Sequence, residues 1–213
     1  MSALSQTLLV IHVASGFTAL ATGLLSMLNR KGGQNHRLTG KIFFTGMTGV
    51  FITAVALSVI RPNPFLFMVG FFSYYLACSG YRSLYLKKLH LSQKPKWIDW
   101  LISVTGTGFG TGLILFGLHW LELRGVWGFV PLSFGTFCLG TAVMDILKFY
   151  RPQPKTARLI NHGSKMGGAF AATLTAFIVT NFEMGSLSWV LWILPGLVVG
   201  IWIKVKLRSF KAN

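Results

Sequence analysis

Charge is scarce in this chain, and negative charge is nearly missing. Of 213 residues only 11% are Asp, Glu, Lys or Arg, and only 4 of them are acidic. A soluble domain carries about 25% charged residues, so an ordinary water-facing surface is excluded. The 2 cysteines, Cys78 and Cys138, sit in apolar runs without C-x-x-C spacing. That excludes a disulfide framework and a cysteine zinc site. No Lys or Arg precedes the first apolar run; a secretory signal begins with a positive segment, so residues 7–28 are read as a retained helix.

What is present is hydrophobicity with one sign of charge. The chain is 53% hydrophobic, with mean hydropathy +0.60, and 20 Lys and Arg give it a formal net charge of +16. Basicity of that size suggests nucleic acid, but a nucleic-acid binder does not also carry repeated long apolar runs. A polytopic membrane protein explains both features, and no nucleic-acid role is assigned. Its partners are then the lipid bilayer and, at the basic loops, anionic headgroups.

A bilayer core takes about 20 apolar residues per helix. Seven segments qualify, at 7–28, 41–60, 64–86, 98–121, 126–147, 163–182 and 187–207. Arg61-Pro62-Asn63-Pro64 and Arg151-Pro152-Gln153-Pro154 punctuate them, and no linker holds a second domain. The expected fold class is therefore all-α: one polytopic transmembrane bundle over residues 1–213.

Orientation follows from the Lys and Arg count in short loops. Eighteen of the 20, Lys165 counted among them, fall on the side of the first, third and fifth loops and the C-terminus; only Arg61 and Arg124 fall on the other. The N-terminus is expected outside and the C-terminus in the cytoplasm, which an odd number of spans requires. All seven tryptophans lie toward span ends, as an interfacial aromatic belt does.

Two small-residue patterns predict close helix packing. Gly106/Gly110 and Gly108/Gly112 form small-x-x-x-small pairs in the fourth span, which offers a surface for oligomers. His12, Gly16, Ala19 and Gly23 make a narrow stripe on the first. Pro195-Gly196 predicts a kink in the last span.

Polar residues at membrane depth are costly and mark candidate function. His12 and His119 lie toward the outer side, His36 and His162 toward the cytoplasmic side, and Asp145 in the last turns of the fifth span. His90 reads as a solvated loop residue. Asn35-His36 and Asn161-His162 share a context in which Asn caps a helix and His opens it. The positive end of the helix dipole disfavours an imidazolium there, and neutral imidazole is the form that ligates metal or haem iron. His36 and His162 are thus candidate ligands, with Asp145 as a third ligand or an orienting partner and Met166 as a soft ligand. A structural alternative stands beside each: the histidines capping backbone or binding lipid phosphate, Asp145 pairing with Lys148. Arg37 and Lys41 suit haem propionates, a phosphate or an anionic lipid head.

The run Ile11-His12 through Gly23, then His36-Arg37-Leu38-Thr39-Gly40-Lys41, then His162 with Met166 and Thr175-Ala176-Phe177, resembles an uncharacterised bacterial family. Its members are multi-helix inner-membrane proteins with a first-span His, a His-Arg-x-x-Gly loop and a late His-x-x-x-Met. The resemblance implies a bacterial inner-membrane location and interest in His12, His36 and His162. It implies no activity.

Three function classes remain. The first is a cofactor protein holding haem b or a transition metal between His36, His162, His12 and His119. The second is a proton-coupled transporter or channel with His and Asp145 as relay groups. The third is an intramembrane hydrolase with metal-bound water, for which four acids are few. A non-catalytic assembly role stands beside them, and no enzymatic activity is assigned.

Overall fold

Local chemistry sets where each helix starts and stops. The structure is a computed structural model, and it describes residues 2–89, 91 and 93–208; His90 and Lys211 lie outside the described residues. Those residues form helices, turns and connecting segments, with no strand among them. The helices are α1 (Ala3–Leu28), α2 (Gln34–Ile60), α3 (Pro64–Ser83), α4 (Trp97–Arg124), α5 (Phe129–Tyr150), α6 (Ala157–Asn181) and α7 (Ser188–Arg208). The Ser2 hydroxyl accepts the Ser5 N–H at the start of α1. Pro64 occupies the first position of α3, where its missing N–H costs nothing, and Asn63 Oδ1 accepts the Leu66 N–H at 3.0 Å. α4 ends at Gly125, whose φ of +57° suits a residue without Cβ.

Four stretches are long and apolar enough to cross a membrane: Ala3–Leu28, Gln34–Ile60, Trp97–Tyr150 and Gly185–Leu207. The third is α4 and α5 folded back on each other at the Gly125–Gly128 turn. α3 and α6 fall outside that set, because Tyr75, Ser79 and Arg82 interrupt the one and Asn161, His162 and Lys165 the other. Leu4, Val10, Phe17, Leu28, Ile52 and Val59 leave their apolar side chains exposed. Such surfaces suit a lipid solvent, and the apolar helices are those of a membrane protein.

Helix starts depart furthest from the apolar windows at two places. α2 begins at Gln34 instead of 41, and α6 at Ala157 instead of 163. Helix backbone needs no apolar side chains to continue past the apolar window. His36 and His162 therefore sit inside their helices, and neither Asn35 nor Asn161 is an N-cap.

The chain divides into two compact units, Met1–Gly70 and Phe71–Asn213. In the first, α1 and α2 run antiparallel, His12 facing Thr53, Ser15 facing Gly49, Ala19 facing Gly46 and Ser26 facing His36. The predicted stripe on α1 is the packed face: Ala19 and Gly23 are buried, and a Cβ on Gly46 would stand 3.1 Å from the Ala19 nitrogen.

In the second unit α4 and α5 form an antiparallel hairpin with touching backbones. A Cβ on Gly110 would lie 2.7 Å from the Leu139 nitrogen, and one on Gly117 2.7 Å from the Leu132 nitrogen. Gly106 receives the Tyr75 ring and the Cys138 thiol. Gly108 is exposed with nothing near it, so only one of the two predicted glycine pairs is a packing face within the chain. The second half of α3 runs antiparallel to α4, where Phe71 stacks on Phe109 at 3.9 Å, and antiparallel to α6, where Gly80 meets Met166. α7 returns along α6, with Leu207 over Gly163 and Ile203 over Gly167, and continues through Pro195.

Candidate functional site

Polar residues on α3 recur at helical spacing. Tyr75, Ser79 and Arg82 lie at i, i+4 and i+7, one face of the helix. That face looks onto α4, α5 and α6, so its polar atoms must find partners inside the protein.

The first partner is on α4. Arg82 binds Asp99 with two parallel bonds, Nε to Oδ1 at 2.8 Å and Nη2 to Oδ2 at 2.9 Å. Asp99 also accepts the Lys96 N–H at 2.8 Å. The carboxylate thus closes the start of α4 and ties it to the end of α3.

The second partner set is deeper. Asp145 on α5 and Lys165 on α6 are 7% and 4% exposed and form an ion pair through Asp145 Oδ2. The Tyr75 hydroxyl donates to the same oxygen at 2.8 Å, and the Ser79 hydroxyl at 2.7 Å. Lys165 Nζ donates to Ser79 Oγ at 2.5 Å and to Tyr75 Oη at 3.3 Å. The three ammonium protons thereby have three acceptors, and each hydroxyl accepts from Lys165 while donating to Asp145. Two charges removed from water need such saturation, since the desolvation cost is several kcal/mol per ion.

Asp145 Oδ1 faces the other way. It accepts from Lys148 Nζ at 3.3 Å, while the same ammonium donates to Asn161 Oδ1 at 2.8 Å. Here a cavity of about 40 Å³ opens, and Ser79, Asp145, Lys148 and Asn161 line it. The centre is therefore buried on one side and adjoins a small polar space on the other.

The predicted site residues distribute as follows. His162 Nδ1 donates to the Gly80 carbonyl at 3.0 Å, and His36 Nδ1 donates to the Ser26 carbonyl at 3.0 Å. Gly80 and Ser26 lie in the last turns of α3 and α1, where carbonyls lack helical donors. Both histidines thus tie down a neighbouring helix end. His12 Nδ1 meets the buried Thr53 hydroxyl at 2.9 Å. His119 is exposed near the end of α4. Arg37 Nε donates to the Gly32 carbonyl at 2.9 Å, and Lys41 is exposed. His12, His36, Arg37 and Lys41 belong to the first unit, and His119, Asp145 and His162 to the second. Among the described residues, no three His, Cys, Asp or Glu side chains gather as a metal site.

Lys165 is the residue that sequence reasoning misplaced. Its position among loop charges is corrected by its burial in the third turn of α6. Seventeen cations remain on that side of the count, still against 2. Asp99 was not singled out. The available signals were the spacing of Tyr75, Ser79 and Arg82, and a lysine eight residues inside a helix rich in Gly, Ala and Thr.

A scan against protein-family models, a search of curated proteins and a search of solved structures each found no match.

Proposed function

We propose that this is a seven-span bacterial inner-membrane protein, N-terminus outside and C-terminus cytoplasmic, which conducts protons as a channel through the Asp145–Lys165 centre. The carrying observation is that pair, cross-bonded by two hydroxyls beside a polar cavity. Ionisable groups kept at membrane depth mark ion and proton pathways. Each hydroxyl here bridges ammonium and carboxylate, so a proton leaving Lys165 reaches Asp145 directly or in two short transfers through a hydroxyl. Lys148 holds the opposite oxygen of Asp145 at the cavity wall, where protons exchange with water.

Seven spans are favoured by antiparallel packing of α3 and α6 against each other and against the apolar α4–α5 hairpin. α6, at 25 residues, is about 37 Å long, enough for a bilayer core of about 30 Å. The charge bias of the loops supports the orientation, and the short histidine motifs support membership of the resembling bacterial family. Residues 1–213 then form one membrane domain, its exposed Gly108 face offering a contact for a second copy.

A second reading, haem b or a transition metal held by His36, His162, His12 or His119, draws on one observation. Nδ1 of both His36 and His162 donates to a backbone carbonyl, the arrangement that orients Nε2 as the ligand nitrogen. Purified protein with a Soret band that disappears in His36→Ala or His162→Ala supports it. A colourless, metal-free protein that takes up neither haem nor zinc removes it.

The proton reading is tested by reconstitution into vesicles with a trapped pH indicator under an imposed membrane potential. Acidification above that of empty vesicles supports it, and equal traces overturn it.

A further inference from the structure

We propose that the cavity at the α3–α4–α5–α6 end of the second unit is a binding site for a phosphate-type oxyanion, supplied either as free phosphate or as the headgroup of an anionic lipid. Lys87, Lys148, Lys155 and Arg158 line it, together with the Arg82–Asp99 and Asp145 groups already described.

The argument begins with the supply of carboxylates. The chain has 4 acidic residues in all. Asp99 is taken by Arg82, and Asp145 by Lys165 and Lys148. Glu122 lies 23 residues along α4 from Asp99, about 35 Å away at helical rise, and Glu183 follows the far end of α6. No Asp or Glu is left to compensate Lys87, Lys155 and Arg158. Lys87 and Lys155 are exposed and Arg158 is half-buried, and three such cations around one concavity, with a fourth shared between Asp145 and Asn161, attract an anion from outside the chain. Concave walls of low dielectric concentrate that potential.

The ligand class follows from size and donors. About 40 Å³ holds roughly three waters, which gives room for one tetrahedral head. Arg158 supplies a planar fork and the lysines supply point charges, the set that recognises phosphate oxygens. Asn161 adds an amide at the same wall, already turned toward Lys148. An oxyanion in this position competes with Asp145 Oδ1 for Lys148, whose 3.3 Å bond to that oxygen is the longer of its two. The site needs no proton movement, and it goes beyond the reading given above.

The test is calorimetric titration of the full chain in maltoside micelles at low salt. Inorganic phosphate and dihexanoyl phosphatidylglycerol are added separately, with dihexanoyl phosphatidylcholine as the zwitterionic control. The wild type is expected to bind phosphate or phosphatidylglycerol saturably at one site per chain. Lys155→Gln/Arg158→Gln should weaken that binding at least tenfold with its melting temperature unchanged. Lys204→Gln/Lys206→Gln on α7 removes the same number of charges outside the cavity and should leave binding within twofold. Binding of phosphatidylglycerol alone assigns the site to lipid, and binding of both ligands assigns it to free phosphate as well. Saturable binding of neither ligand, or equal weakening in the two double variants, overturns the proposal.

Discussion

Lys165 and Asp145 are joined directly and twice more through a shared neighbour, once by the Ser79 hydroxyl and once by the Tyr75 hydroxyl. This doubling decides how the pair responds to change. Removing Lys165 leaves Asp145 with Lys148 as its remaining cation, and removing Asp145 leaves Lys165 with two hydroxyls and no carboxylate. Removing both leaves two hydroxyls that can bond to neutral side chains.

Single and double substitutions should therefore differ in sign of cooperativity. Asp145→Asn is expected to lower stability by about 3–5 kcal/mol, the cost of an uncompensated buried ion, and Lys165→Gln by less, because Lys148 still faces Asp145. Asp145→Asn/Lys165→Gln should recover most of that loss. Thermal midpoints of the three variants in detergent, by size-exclusion fluorescence, measure it. Additive losses in the double variant would contradict the shared network.

The α4–α5 hairpin makes a packing prediction with an internal control. Gly110→Val places a side chain against the Leu139 backbone, where a Cβ alone stands at 2.7 Å, and should cost about 1–3 kcal/mol or more. Gly108→Val, two residues away and facing open space, should leave the midpoint within a degree or two. The comparison is read in the same assay.

In the first unit, His12→Ala removes the partner facing the buried Thr53 hydroxyl. A loss of about 1 kcal/mol is expected, since one hydrogen bond is removed while the Thr53 hydroxyl keeps its bonds to the Gly49 and Val50 carbonyls. His119→Ala, at the exposed end of α4, should be neutral. Equal midpoints for the two variants would count against a structural role for His12.

Helix positions were legible in the sequence because apolar length is a one-dimensional property. Segment 98–121 falls inside α4, segment 126–147 overlaps α5 from Phe129 onward, and the α1 stripe of His12, Gly16, Ala19 and Gly23 faces its partner helix. The site was less legible, because facing is tertiary. Lys165 carries the same letter as the loop lysines around it, and only the convergence of α3, α5 and α6 turns it inward. Asp145 stands out alone in the sequence; Tyr75 and Ser79, 70 and 66 residues before it, give no sign of sharing its oxygen. The histidines drew attention as ligands, whereas the bonds of His36 and His162 run to helix-end carbonyls that no residue type announces.

The topology is open to direct mapping. Reporter fusions at residue 154 should read cytoplasmic, and fusions at residue 62 and within Gly125–Gly128 should read external. Any exchange among the three breaks the assignment of seven spans with the N-terminus outside.

The central claim is that protons cross through Asp145 and Lys165, and one comparison tests it most directly. Wild type and Asp145→Asn/Lys165→Gln, matched for folded protein, are reconstituted into vesicles with a trapped pH indicator, and the initial rate of acidification is recorded under the same membrane potential. The account predicts a rate well above that of empty vesicles for the wild type and the empty-vesicle rate for the double variant. A double variant that acidifies its vesicles as fast as the wild type would contradict it.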